Sequence, residues 1–316
     1  LGKWLERLGV KSWINAANWS TTLGGSVLAP EVVEAMAEVA SCWVSLAELL
    51  EKAGDHVARL TGADAAYITS GAAAGVTLSA AACMTGTDPA KILRLPCTEG
   101  MKNEIIHQRA QDNFFTNCFR AAGATIVEVG HAYPVWPQPQ MIENAVSEQT
   151  AAIAYVNSYH CTPRGNVGIE EVLRIARKHA IPVIVDSASL LPPVSNLTKF
   201  VDLGVDLTVF SGGKGICGPN DTGIVLGAGR RGKELIEAVK LNANPYESIG
   251  RGFKVSKEQI VGLVAALERF VERDEATHYA QLMTTAQGIM RELADLPHVT
   301  ASIIPHDEHP MFSLVP

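Results

Sequence analysis

Lys214 lies in Leu207-Thr-Val-Phe-Ser-Gly-Gly-Lys-Gly-Ile-Cys-Gly-Pro219, where an apolar strand pattern runs into a loop holding four glycines. Glycines let a backbone turn sharply and approach a bulky ligand closely. The lysine is flanked by apolar strands rather than by other charges. Partial desolvation there would lower its pKa and make the amine a nucleophile toward an aldehyde. Taken alone, the loop fits an exposed turn lysine equally well.

Two further stretches suit the same crevice. Ile181-Pro-Val-Ile-Val-Asp-Ser-Ala-Ser189 ends an apolar strand in Asp186. Ligands bind at the carboxyl ends of such strands. A carboxylate there can hold a proton on a pyridine-type nitrogen, although a helix cap is the plain alternative. Ala65-Ala-Tyr-Ile-Thr-Ser-Gly-Ala-Ala-Ala-Gly75 is a strand followed by small residues that open a helix. Its free N–H groups and the Ser70 hydroxyl make a natural phosphate cradle. Small residues at a helix start also serve close packing. Each signal is weak alone; the three suit different parts of one ligand.

The elements that must position these residues alternate between short β-rich runs and helical patterns, which predicts a mostly parallel sheet between helices. Strands are expected at 65–69, 92–95, 104–107, 125–129, 151–157, 182–186, 207–210 and 223–226, with helices at 72–84, 114–122 and 169–179. Pro30 opens an earlier helix at a position where its missing N–H costs nothing. Beyond residue 254 the pattern changes to long helices at 257–273 and 277–295, then strand-like 299–304 and 312–315. Residues 1–254 therefore read as a large α/β domain and 255–316 as a smaller α+β domain, incomplete at its end. His306-Asp-Glu-His309 has a metal-like spacing without a third ligand and reads as a solvated loop.

Of the 316 residues 47% are hydrophobic and 19% charged, which suits a large buried core rather than disorder. The net charge of −7 argues against a broad nucleic-acid or membrane surface. Six scattered cysteines, none in a Cys-x-x-Cys pair, read as reduced thiols of a cytoplasmic protein. No apolar run reaches membrane-spanning length and no signal peptide is evident.

In chain order these residues resemble the fold-type I pyridoxal-phosphate enzymes, and among them the family related to bacterial selenocysteine synthase. The resemblance runs through Ile14-Asn-Ala, Thr22-Leu-Gly-Gly-Ser26, Thr69-Ser-Gly-Ala-Ala-Ala-Gly75, Ala122-Gly-Ala-Thr-Ile-Val-Glu-Val-Gly130, Ile181-Pro-Val-Ile-Val-Asp186, Phe210-Ser-Gly-Gly-Lys-Gly215 and Ile249-Gly-Arg-Gly-Phe-Lys254. It implies that Lys214 holds pyridoxal 5'-phosphate as a Schiff base and shuttles the α-proton. It further implies that Asp186 contacts the pyridine nitrogen, and that Ser70, Gly71, Ala72 and Ser211 hold the phosphate. Similar sequences stack a histidine over the cofactor ring where this one has Gln111, an amide unable to act as acid or base. Arg251 and Lys254 match a family motif and are expected to bind a carboxylate or phosphate of the substrate.

The resemblance also implies a homodimer or larger assembly. The expected reaction is α,β-elimination from an amino acid or amino-sugar acid, giving a keto acid and ammonia. Selenium transfer, transamination and racemisation would use the same residues, and the missing basic tract makes a tRNA substrate the weaker expectation. Two rival motifs exist. Gly227-Ala-Gly-Arg-Arg-Gly232 satisfies the G-x-G-x-x-G pattern of a nicotinamide-dependent dehydrogenase, without a following strand that ends in an acid. Ser211-Gly-Gly-Lys214 fits the Ser-x-x-Lys pattern of penicillin-recognising enzymes, whose Ser-Asp-Asn and Lys-Thr-Gly partners are absent.

Overall fold

A computed structural model describes residues 3–16, 19–131, 136–157 and 165–303. Its centre is a seven-stranded sheet: β1 (Ala65–Thr69), β2 (Glu104–Gln108), β3 (Thr125–Val129), β4 (Thr150–Val156), β5 (Val183–Asp186), β6 (Leu207–Ser211) and β7 (Gly223–Gly227), in the order β1-β7-β6-β5-β4-β2-β3. Strands β2 to β6 pair in parallel, and β7 runs antiparallel to both β6 and β1. Every residue of β5, β6 and β7 is buried, as in a sheet covered on both faces by helices.

The helix Ala72–Thr85 crosses the middle of the sheet. Its alanines and its one glycine allow close approach: a Cβ on Gly75 would stand 2.8 Å from Val209 Cγ1. The helix Lys257–Glu272 starts in a capping box, in which Ser256 and Gln259 satisfy each other's backbone N–H groups. It packs on the helix Pro30–Ala40, where a Cβ on Gly262 would meet Met36 Cγ at 2.7 Å. Glu275–Leu293 follows, capped by Asp274.

Three expectations need correction. Residues 92–95 are not a strand: Ile92 belongs to the helix Pro89–Arg94, whose first amides donate to Asp88 Oδ1 at 2.9 and 3.3 Å. Proline at the first helical position after an aspartate cap outweighs a short Ile-Leu run. The helix expected from 114 begins at Thr116, because the Asn113 side chain takes the Phe115 amide at 2.8 Å and holds the preceding turn. Residues 299–303 form no strand, while 312–315 and the His306–His309 pair lie outside the described residues.

Candidate active site

The carboxyl ends of β1, β5 and β6 lie along one edge of the sheet. Asp186 is the last residue of β5 and only 6% exposed. Its Oδ1 accepts the Ala188 amide at 3.0 Å. Burial pushes its pKa up, and the Ala188 hydrogen bond and the Lys214 charge oppose that shift. Lys214 follows β6 by three positions and is half-buried. Burial holds its pKa below the ordinary lysine value, opposed by the Asp186 charge. Amine and carboxylate, one past the end of β6 and one at the end of the adjacent parallel β5, thus feel each other's charge in a desolvated setting.

The lysine loop is held rigidly. The Gly212 amide donates to Thr222 O and the Gly218 amide to Gly212 O, both at 2.8 Å. The Ser26 hydroxyl donates to Gly213 O at 3.2 Å, tying the N-terminal segment to the loop. The glycines answer to crowding within the protein. A Cβ would stand 2.1 Å from Thr222 Oγ1 at Gly212, 2.5 Å from Asn220 Cα at Gly213 and 2.2 Å from Leu191 O at Gly215. The left-handed turn falls on Cys217, at φ 61°.

The Ser70 turn comes to the same edge through β7, where Gly223 pairs with Thr69 on one side and Ser211 on the other. Gly71 takes φ 88° at the start of the helix Ala72–Thr85, and no side chain caps that start. The first-turn amides are therefore left for a ligand. A Cβ on Gly223 would meet Gly71 C at 2.6 Å, so the cradle sits directly on the strand. Gln111 is fully buried and accepts the Val156 amide at 2.9 Å, and Val156 pairs with Asp186. The fold thus brings Lys214, Asp186, Ser70, Gly71, Ala72, Ser211 and Gln111 to one sheet edge. Arg251 and Lys254 are exposed; Arg251 donates to Asn244 Oδ1 at 3.2 Å, and neither residue lines the cleft described next.

A cleft of about 820 Å³ opens above Lys214. Beside Thr22, residues that the sequence did not single out form its walls: Trp19 and Thr21 from the N-terminal segment, and Asn113, Asn117 and Arg120 from the chain after β2. No motif marks these others, because tertiary folding alone brings the two segments together. Cys118, on the same short helix as Arg120, is a neutral thiol pushed up to about 11 by burial and then by the Asp186 charge.

The rival motifs have structural explanations. Gly227 ends an antiparallel strand, so no βαβ unit surrounds the G-x-G-x-x-G pattern. Its Gly229 amide donates to Asp64 Oδ2 at 2.6 Å, and Arg231 pairs with the buried Asp206 at 2.6 and 3.0 Å. Ser211 ends a strand and Lys214 lies in a turn, whereas the penicillin-type motif needs a helix start. Among the described residues no group of His, Cys, Asp and Glu is arranged to hold a metal ion, and no helix is long and apolar enough to cross a membrane.

An uncapped helix start, two neighbouring serines, a buried carboxylate and a depressed lysine supply donors for a phosphate, a ring nitrogen and an aldehyde. On this sheet they define a fold-type I enzyme whose cofactor is pyridoxal 5'-phosphate. The chain belongs to the L-seryl-tRNA selenium transferase family, whose model matches residues 15–298. It is 36% identical to D-glucosaminate-6-phosphate ammonia lyase of Salmonella typhimurium, over 90% of this chain and 74% of that protein. It is 32% identical to 5'-C-glycyluridine monooxygenase-decarboxylase of a Streptomyces species, over 94% and 72%. A solved structure of D-glucosaminate-6-phosphate ammonia-lyase superposes with a TM-score of 0.81 at 34% identity, covering 91% of this chain and 75% of that one.

Proposed function

We propose that this chain is a lyase acting on a β-hydroxy amino acid of the amino-sugar acid type, which it converts to a keto acid and ammonia. The observation that carries the reading is the desolvated Lys214, coupled to the buried Asp186 and lining a cleft of about 820 Å³. Its likeness to an ammonia lyase supports the same chemistry.

Bound pyridoxal phosphate supplies an aldehyde that captures an amine and a ring that stores the electrons released at the substrate α-carbon. Lys214 Nζ, its charged form disfavoured by burial, takes the α-proton. Asp186, oriented by the Ala188 amide, keeps a proton on the ring nitrogen. The amides at Ser70, Gly71 and Ala72 and the Ser211 hydroxyl hold the phosphate. Gln111, fixed by the Val156 amide, gives the ring a flat neutral neighbour and moves no proton. Lys214 then carries the proton transfers alone. The β-hydroxyl departs as water, and hydrolysis of the released enamine yields keto acid and ammonia.

The active form in this reading is a cytoplasmic homodimer or larger assembly, with a cofactor-binding unit over residues 1–254 and a smaller unit over 255–316. Trp13, Ile14 and Trp43 are 80%, 100% and 102% exposed, an apolar load that a second copy would cover. Arg251 and Lys254, lying outside the cleft of their own chain, would serve a substrate anion across that contact. Five described cysteines are free thiols, in keeping with a reducing compartment.

The test is direct: purified enzyme is given glucosaminate 6-phosphate, glucosaminate and short β-hydroxy amino acids. Equal amounts of ammonia and keto acid are expected from at least one of them, and neither product from the whole panel would overturn the reading. The 32% identity to a monooxygenase-decarboxylase favours one second reading, oxidative decarboxylation. Oxygen uptake with carbon dioxide release from the same panel would establish that alternative.

A further inference from the structure

The cleft above Lys214 has one other cation among its lining residues, Arg120. Arg120 sits near the end of the short helix Thr116–Ala121, with its side chain 45% exposed. Its Nη1 donates to Asn117 Oδ1 at 3.1 Å, which orients the guanidinium from within the cleft wall. The acid beside it is shared with a second arginine. Glu128 is closed onto Arg109 through Oε2, and its other oxygen stands 4.0 Å from Arg120 Nη2. Most of the planar donor fork therefore remains for a ligand, and that fork matches a phosphate or carboxylate in two-point contact.

The rest of the wall narrows the ligand further. Thr21, Thr22, Asn113 and Asn117 offer neutral hydroxyls and amides between the lysine and the arginine, the donors and acceptors that a chain of hydroxyl groups needs. Asp112, the one carboxylate among the lining residues, can accept from the same hydroxyls. The volume of about 820 Å³ lies in the range of roughly 300–1,000 Å³ that encloses drug-sized ligands.

We propose that Arg120, oriented by Asn117, is the residue that selects a substrate with an anionic group at the end of a polyhydroxy chain remote from the reacting amine. The assignment builds on the lyase reading above and places the tail's anion site within this chain, at a residue other than Arg251 and Lys254.

The experiment is calorimetric titration of the cofactor-loaded enzyme with 6-phosphogluconate, gluconate, sorbitol 6-phosphate and inorganic phosphate. None of these probes carries an amine, so none reacts, and the outcome is independent of whether ammonia is released. Wild-type enzyme is expected to bind both polyol phosphates at least about tenfold more tightly than gluconate. Arg120→Gln should erase that preference while leaving gluconate affinity within about twofold, and Arg120→Lys should fall between. Tighter gluconate binding would place a carboxylate at the site instead of the phosphate tail and overturn the assignment. So would an unchanged preference in Arg120→Gln, an equal loss for charged and uncharged tails, or binding of inorganic phosphate alone. The intrinsic tryptophan emission, to which the cleft residue Trp19 contributes, should quench on 6-phosphogluconate binding in the wild type only. Failure of the lyase reading shows separately, as absence of ammonia from the substrate panel.

Discussion

Asp186 ends β5 and Lys214 lies in the turn after the adjacent parallel strand β6, and each pulls the other toward its charged form against a burial that disfavours charge in both. Such a pair is costly to an empty protein and useful to one that must hold a ring nitrogen at one end and an aldehyde at the other. Much of the behaviour expected of this enzyme follows from that tension.

The carboxylate should be a liability in the cofactor-free protein. Below about pH 3.8 the acid is protonated whether the chain is folded or not. Above that, the folded chain binds the proton more tightly, so stability falls as pH rises through the raised pKa. Asp186→Asn, which can still accept the Ala188 amide, should therefore gain thermal stability over the cofactor-free wild type between pH 4 and 7. The gain should shrink toward pH 4, while cofactor affinity is lost. A variant less stable than wild type at pH 7 would contradict the electrostatic argument.

Lys214→Ala should leave the fold intact, since the amine takes no part in the loop's backbone hydrogen bonds. Turnover should drop by roughly 10²–10⁴-fold. The visible absorbance of the purified protein should disappear, as read by spectrophotometry beside circular dichroism. Retained colour would move the cofactor to another residue.

Gly223→Ala tests the cradle. The added methyl would meet Gly71 C at 2.6 Å and Ala72 N at 2.7 Å, so the helix start must shift. Overpacking of this kind costs about 1–3 kcal/mol. The cofactor dissociation constant, measured by titrating the cofactor-free protein, should rise about tenfold if two phosphate donors lose alignment. Unchanged affinity would separate the Ser70 turn from phosphate binding.

Arg231→Met probes a structural pair away from the site. It strands Asp206, which is 4% exposed and also accepts the Val183 amide. Removing one partner of a fully buried pair costs about 3–5 kcal/mol. Arg231 is 38% exposed, so about 2 kcal/mol is expected, seen as a lower unfolding midpoint in urea with the cofactor absorbance unaltered. A change in absorbance would mean that the pair does reach the active site.

The chemistry was more legible in the sequence than the cleft that serves it. Lys214, Asp186 and the Ser70 turn each follow an apolar run, and strand ends in a parallel sheet collect on one edge by topology. The runs at 182–186 and 207–210 read correctly because strands buried on both faces are apolar for most of their length. Ile92 misled because a two-residue apolar run carries no period, and the Asp88-Pro89 cap beside it was the stronger signal. The antiparallel course of β7 was hidden, since pairing direction leaves no mark on one strand's residues. Arg120 was invisible for another reason. On its short helix it looks like any surface arginine, and only the approach of residues 19–22 turns that surface into a wall.

Borohydride reduction of the purified enzyme, followed by mass mapping of its peptides, tests the central claim most directly. One pyridoxyl-phosphate adduct per chain is expected, on the peptide that contains Lys214 and at that residue. An adduct at any other lysine, or no adduct in protein supplied with the cofactor, would contradict it.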